Sequence, residues 1–505
     1  MSTISPEQSR GKSAELVFAL IYPVGVDSED VVNALSEVLS EVGYKTIPIH
    51  LIDFLKIGAS VTNAAEKRNA QMDAGNKLRN DLAEKEKRFD AFALLAASLI
   101  LKLRPPPESA DGNDKAESRY AYVVRSLKRP EEVNTLRAIY GNSLIVVAAY
   151  ATPSVRLDRL THEIAMSDWS GGQGEANSRA QQLIERDESE ARVPYGQRLR
   201  EAFPLADVFV DASNSGKTRE GLRRFIHLLF GYQFTTPSAD EYAMFVARGT
   251  AYRSSDLSRQ VGCVITSNSG QILSVGYNEV PKYGGGVYTE EDSENHRDFL
   301  EGDDSSTQFK RRALGQILER LRNGGWLKDS SELSVELIDR ASTEVDGTDL
   351  MNVGEFGRAV HAEMSAIVSA ARQGISVDKA VLYTTTFPCH VCARHIVAAG
   401  IERVVYVEPY PKSLVGDLHQ DSIVVDNPNG ASKHVLFIQF IGIAPRPFMR
   451  LFGMESKDWR KTQAGKIVPW NPMIANPRLY ESPAIYLIEE QHSFDILRKL
   501  GEDYF

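Results

Sequence analysis

The chain has 505 residues, a formal net charge of −10, and 42% hydrophobic and 25% charged residues. That composition suits an ordinary globular chain of two or three domains, and its acidity argues against a general coat for nucleic acid. Three cysteines (Cys263, Cys389 and Cys392) rule out a disulfide framework as the main support of the fold.

No apolar run approaches the roughly 20 residues needed to span a bilayer, so no membrane association is expected. The first fifteen residues are polar and lack the apolar core of a signal peptide. A cytoplasmic location is the expectation.

Glu15 to Ile21 (ELVFALI) reads as a buried strand. A turn at Gly25, Val26 and Asp27 follows. Ser28 to Val42 then places Val31, Val32, Leu35, Val38 and Leu39 at helical spacing, with Asp27 or Ser28 as N-cap. Strand, turn and helix at the head of an α/β domain is where a phosphate-binding loop belongs, so Gly25, Val26 and Asp27 are candidate nucleotide contacts. The turn lacks the lysine of a G-x-x-x-x-G-K-S/T loop. Gly11-Lys12-Ser13 has no strand before it. Gly216-Lys217-Thr218 follows a strand (Ala206 to Val210) and precedes a helix (Arg219 to Phe230), but Asp211 stands where the upstream glycine is required. Lys217 therefore reads as part of a polar helix start.

Between these points, Arg68 to Leu82 is a polar helix and Phe89 to Leu103 an apolar, buried one. Tyr120 to Leu127 and Ser143 to Ala149 are strands around a helix from Pro130 to Tyr140, and Arg156 to Ile164 opens another helix. Gly171 to Asn177 is expected to be a mobile, Gly-rich loop. Residues 232–239 have linker composition, and a helix starts at Asp240. Val261 to Thr266 and Gln271 to Tyr277 form a hairpin through Ser267-Asn268-Ser269-Gly270. Residues 279–352 interrupt the pattern, with Gly284-Gly285-Gly286, an acidic run and a basic helix from Gln308 to Asn323. After it come a helix from His361 to Gln373, a strand (Val381 to Thr386), a helix (Cys389 to Ala399) closed by Gly400, and strands at Arg403 to Glu408 and Val435 to Phe440. The last sixty residues show no clear period.

The chemistry concentrates in His361-Ala362-Glu363 and Pro388-Cys389-His390-Val391-Cys392. H-x-E followed by P-C-x-x-C is the pattern of zinc-dependent nucleobase deamination. His361, Cys389 and Cys392 supply three ligands for Zn²⁺ and leave a fourth position for water. Glu363 is the proton carrier, not a ligand. His390 and His395 read as packing or surface residues, and Cys263 as a buried, inert thiol.

Two resemblances follow from longer stretches. AGNKLR (74–79), RSLKRPEEVNTLRAIYG (125–141) and the ERDE…YGQ…FPLADVFVDAS run (185–213) resemble elements of P-loop nucleotide kinases. RSSDLSRQVGCVIT (253–266), GYNEVP (276–281), GRAVHAEMSAI (357–367) and TTTFPCHVCARHIVAAGIERVVYVEPYPKS (384–413) resemble the deoxycytidylate deaminase family much more tightly. That second resemblance implies Asn278 as a sugar contact and Phe387 and Tyr410 as base contacts. It implies a deoxycytidine nucleotide as substrate and a closed homo-oligomer, with a hexamer as one form. Arg253, Arg259, Lys282 and Lys412 are candidate phosphate ligands.

The combination is similar to bacterial phage-defence deaminases acting on dCTP and dCMP. It implies depletion of deoxycytidine nucleotides under control of the N-terminal half, through a regulatory nucleotide or an RNA or protein inhibitor. The expected architecture is α/β throughout. Residues 15–232 form a P-loop-kinase-like parallel sheet with helices on both faces. Residues 240–440 form a cytidine-deaminase-like three-layer α/β/α domain with a mixed sheet, and 441–505 an extension of unassigned role. Two other readings share these residues: an editor of cytosine or adenine in nucleic acid, and a phosphoryl-transfer protein with a secondary deaminase half.

Overall fold

The computed structural model describes residues 15–57, 63–106, 119–168, 172–188, 190, 196–302, 304–327, 334–346, 348, 351, 353–354, 356–409, 413–427, 433–454, 460–480 and 483–500. The chain divides into two compact units, one of residues 1–241 and 441–505 and one of residues 242–440.

The first unit is built on a six-stranded sheet. Its strands are β1 (Leu16–Ile21), β2 (Lys45–His50), β3 (Tyr120–Arg125), β4 (Leu144–Tyr150) and β5 (Val208–Asp211), with a short strand Gly442–Ile443 at one edge. The order is Gly442–Ile443, β5, β4, β1, β3, β2; all pairs are parallel except the Gly442–Ile443 pairing with β5. Every residue of β1 is buried, the mark of a central parallel strand covered on both faces. Leu16, Phe18 and Leu20 join a core with Val31, Leu35 and Leu39 of helix Ser28–Glu41 and Leu222 and Phe225 of helix Ser215–Leu229. Asp27 starts the first of these helices, its Oδ1 accepting from Asp30 N at 3.0 Å. The helix Ala91–Leu103 is buried from Ala91 to Ile100, as its unbroken apolar run requires.

Strand β2 was not legible in the sequence. Its Lys45, Thr46 and Pro48 are polar or lack a donor, which suits the sheet edge it occupies. The expectation of a loop from Gly171 to Asn177 is corrected: Gln173–Glu188 is a helix, while Gly171 lies outside the described residues. Ala176, Ala180 and Leu183 fall on its buried side. The small alanines carry the helical period there, and two glycines mask it.

The C-terminal residues belong to this unit. Helix Pro483–Leu500 packs on helix Ala91–Leu103. Arg104 ties the two ends of the chain together, with Nη1 donating to Glu490 Oε2 at 2.6 Å and Nη2 to Glu15 Oε2 at 3.0 Å. Tyr140 Oη donates to Glu490 Oε1 at 3.0 Å.

A second buried ion pair fixes helix Ala64–Glu86 to helix Pro130–Tyr140. Arg79 Nε donates to Glu132 Oε1 at 2.8 Å, and Glu132 is fully buried. Arg79→Ala removes the charge partner of that buried carboxylate and leaves it only the backbone N–H groups of Lys128 and Arg129. The expected loss is about 3–5 kcal/mol in urea unfolding, and a loss below about 1 kcal/mol would contradict this role for the pair.

The second unit has its own six-stranded sheet. It holds β6 (Gly262–Thr266), β7 (Ile272–Tyr277), β8 (Val381–Thr386), β9 (Arg403–Glu408), β10 (Ile423–Val425) and β11 (Val435–Gln439). The order is β10-β11-β9-β8-β6-β7. Strand β6 runs antiparallel to β7 and β8, and the other pairs are parallel, so the sheet is mixed. Helices Ala362–Arg372 and His390–Ala398 cover one face through Ala362, Ala366, Ala393 and Ile396. Ala247 and Ala251 of helix Ala239–Ala251 lie over Gly262 on the other. Within the interruption, Ser305–Asn323 and Val335–Glu344 are helices packed on each other. Among the described residues, no helix is long and apolar enough to cross a membrane.

Candidate metal centre

His361 and Cys389 each occupy the N-cap position of a helix, of Ala362–Arg372 and His390–Ala398 respectively. An N-cap side chain normally turns back to bond the first free N–H groups. Neither residue does so, which leaves both side chains to meet across the gap between the helices. Cys392, one turn into the second helix, is fully buried. Cys389 Sγ and Cys392 Sγ each lie 3.3 Å from His361 Nδ1. The three donor atoms fall within 4.8 Å of one another.

Tetrahedral zinc with usual Zn–S and Zn–N lengths separates sulfur from nitrogen by about 3.6 Å. The donor set and spacing therefore fit Zn²⁺. With zinc bound, Cys389 and Cys392 would serve as thiolates and offset its charge, and the helix N-terminus at Cys389 favours the anion there.

Electrostatics are uneven across the cluster. Bonding from Cys392 and from His361 holds the Cys389 thiol down at about 4. The bond to Cys389 and burial push the Cys392 thiol well up. The bond to the Cys389 sulfur and its charge raise His361 to about 9. Burial, with the charge of Cys389, raises Glu363 to about 6, and Cys392 lies in bonding contact with its carboxyl. Burial also raises the Cys263 thiol.

In zinc-free protein at pH 7, Cys389 is then the thiolate, and it is the only one of the three cysteines not fully buried. Brief iodoacetamide treatment should alkylate Cys389 well before Cys392 or Cys263, and zinc should protect it. Mass spectrometry of tryptic peptides reads this order; equal labelling of all three would contradict it.

Glu363 reaches the cluster because its helix lies directly against β7. Gly276 permits that approach: a Cβ there would sit 2.3 Å from Ala362 O and 2.3 Å from Ala366 N. Sequence reasoning saw Gly276 only as part of a hairpin strand and of the GYNEVP stretch. It also missed Glu279, whose buried carboxylate accepts from Ser255 N at 2.9 Å and Val280 N at 2.9 Å, while its backbone bridges to Val360 beside His361. His390 Nδ1 is buried without a partner among the described residues. Neither His390 nor His395 joins the donor cluster.

The other expected contacts are dispersed. Asn278 is buried, and its amide is engaged within the protein: Oδ1 accepts from Val261 N at 2.7 Å and Nδ2 donates to Arg259 O at 2.9 Å. The Phe387 ring lies edge-on to Tyr406 at 4.8 Å and tilted to Phe437 at 5.5 Å, against the core of the sheet layer. Tyr410 and Lys412 lie outside the described residues. Arg253 stands over the Tyr277 ring at 4.7 Å, and Lys282 is paired with Asp292.

In the first unit, Gly25, Val26 and Asp27 line a cavity of about 540 Å³. Lys217 does not open toward a ligand: its Nζ lies 2.8 Å from Asp211 Oδ2. Gly11, Lys12 and Ser13 lie outside the described residues.

Residues 237–408 match the profile of the cytidine and deoxycytidylate deaminase zinc-binding region. The chain is 46% identical over 57 residues to the deoxycytidylate deaminase of Enterobacteria phage T2, covering 11% of this chain and 30% of that one. It is 36% identical over 92 residues to ComE operon protein 2 of Bacillus subtilis, covering 16% of this chain and 49% of that one. The chain thus spans less than two thirds of the length of these relatives. A crystal structure of dCMP deaminase from cyanophage S-TIM5 with dCMP and dUMP aligns over 41% of this chain and all of that one, at 19% identity and a TM-score of 0.23. Residues 237–408 thus match the zinc-binding region of the cytidine and deoxycytidylate deaminases, and within them His361, Cys389 and Cys392 form a donor set that could hold the metal.

Proposed function

We propose that the chain is a hydrolytic deaminase of deoxycytidine nucleotides, converting dCMP or dCTP with water to dUMP or dUTP and ammonia. One observation carries this reading: a buried carboxyl, Glu363, stands against a His, Cys, Cys donor set inside a region of matching family. When bound, zinc supplies Lewis acidity that brings the pKa of water toward neutrality.

The protein's own part is proton handling. Burial raises the Glu363 carboxyl above the ordinary carboxylate range, which suits a group that takes and returns protons. It accepts a proton as water adds at C4 of cytosine. It returns protons to N3 and to the departing amine.

Asn278 is proposed to act at the sugar mainly by holding the 259–261 backbone in place, since both ends of its amide already bond there. Phe387 and Tyr410 are proposed base contacts. Arg253, Arg259 and Lys282 are proposed phosphate contacts. The first unit is proposed as a regulatory domain related to P-loop kinases. Its strand order and the cavity at the turn after β1 support that reading, and the missing loop lysine speaks against phosphoryl transfer. Assembly into a homo-oligomer, cytoplasmic action and a role in phage defence by dCTP depletion are proposed on the family resemblance.

Incubation of zinc-loaded protein with dCMP, dCTP, CMP and a single-stranded oligodeoxycytidine, followed by chromatography, separates the readings. Uracil product from a free deoxycytidine nucleotide is expected. Product from the oligonucleotide alone, suppressed steeply by salt, would replace this proposal with nucleic-acid editing.

A further inference from the structure

Glu279, in the second unit, is 2% exposed and takes no part in the proton transfer proposed for Glu363. A carboxylate held so far from water needs donors around it. Its Oε2 accepts from Ser255 N at 2.9 Å and from Ser255 Oγ at 2.6 Å, and its Oε1 from Val280 N at 2.9 Å.

These bonds tie two segments together. The backbone of Glu279 pairs with Val360 in both directions, at 3.3 and 3.0 Å, and Val360 is the residue before His361. The side chain holds the start of a turn, residues 254–260, that follows helix Ala239–Ala251. The neighbouring Asn278 holds the end of the same turn, through Val261 N and Arg259 O. The turn also braces itself. Gln260 Nε2 donates to Ser254 O at 2.7 Å, and Asp256 Oδ1 accepts from Ser258 N at 2.8 Å. Arg253 stands just before this turn and Arg259 within it, and both are exposed. Asp256 lies near enough for its charge to act on His361, so the turn borders the metal cluster.

We propose that Glu279 is a positioning residue for the nucleotide: its carboxylate fixes the 254–260 turn, and with it Arg253 and Arg259, against the backbone that leads into His361. This role rests on the deaminase reading of the same site, in which those two arginines meet the substrate phosphate. Its consequence falls on binding. A change of the Glu279 side chain leaves the main-chain pairing with Val360 in place, so His361 stays where the cysteines meet it. The turn loses its anchor, and substrate and transition state lose the same contacts. A loss shared by both raises KM and leaves kcat.

Glu279→Gln tests this. A carboxamide has one acceptor oxygen, so its NH2 must face either the Ser255 donors or Val280 N. KM for dCMP should rise about tenfold, the size of one lost bond to a buried charged group, with kcat within about threefold of wild type. Zinc should stay at one per chain. Ser255→Ala removes only the hydroxyl bond and should raise KM by about threefold; added to Glu279→Gln it should change little, because the two residues share that bond. Ser255→Ala also decides the matter if Glu279→Gln fails to fold. An unchanged KM, a fall in kcat with KM unmoved, or loss of zinc in a folded variant overturns the positioning role and leaves the deaminase reading standing. Zinc-loaded wild-type protein without dCMP turnover overturns both.

Discussion

Glu363→Ala should retain one zinc per chain and lose at least about 10³-fold in turnover of dCMP, as expected for removal of a positioned general acid–base group. The separation of the two effects follows from geometry. His361, Cys389 and Cys392 meet one another without Glu363. Glu363 is the second residue of the helix whose N-cap position His361 occupies, and its carboxyl reaches Cys392. Removing it takes the proposed proton carrier and leaves the His, Cys, Cys cluster. Glu363→Gln keeps the volume and tests the same point with less disturbance of the buried site. Zinc measured by atomic absorption alongside product formation reads both effects. Loss of zinc in Glu363→Gln would reassign this carboxylate to metal binding.

Gly276→Ala should be as damaging as loss of a ligand, although the change is one methyl group at a residue with no chemistry. The added Cβ would fall 2.3 Å from both Ala362 O and Ala366 N. Both are backbone atoms of the helix that carries Glu363, and no side-chain rotation can relieve the contact. The helix must rise from β7 and draw His361 away from the cysteine pair. A stability loss of about 3 kcal/mol or more is expected, at the upper end for overpacking a core, with weakened zinc retention. Thermal unfolding and zinc content of the variant check it. A Gly276→Ala protein with wild-type melting and full zinc would show that the helix and sheet have slack that their spacing does not suggest.

The metal centre was legible because its signal is chemical. Few residue types bind zinc, and the H-x-E and P-C-x-x-C spacings put His361 and the cysteines at the starts of two helices. Strand β1 and helix Ser28–Glu41 were legible because burial imposes a period on them. Where packing depends on what is missing from a side chain, the sequence was silent. Gly276 matters for its lack of a Cβ, and Ala176 and Ala180 bury a helix without looking apolar.

Partnerships across long separations were equally hidden. Glu490 reaches Arg104 and Tyr140 from the far end of the chain, and Gly442 pairs with Phe209. No local pattern near residues 441–505 announces that they complete the first unit. Asp187 shows the same limit: it reads as one acid in a charged run, yet it holds Val24 and Lys128 at the turn after β1.

We propose a strict dependence of hydrolytic deamination on a zinc held by His361, Cys389 and Cys392. Its most direct test uses wild-type protein stripped of metal and then given zinc in known amounts, with ammonia and dUMP measured from dCMP. Stripped protein should give no product, and equimolar ammonia and dUMP should rise to a plateau at one zinc per chain. Equal turnover before and after zinc is restored, or zinc fully bound with no product from either dCMP or dCTP, would contradict it.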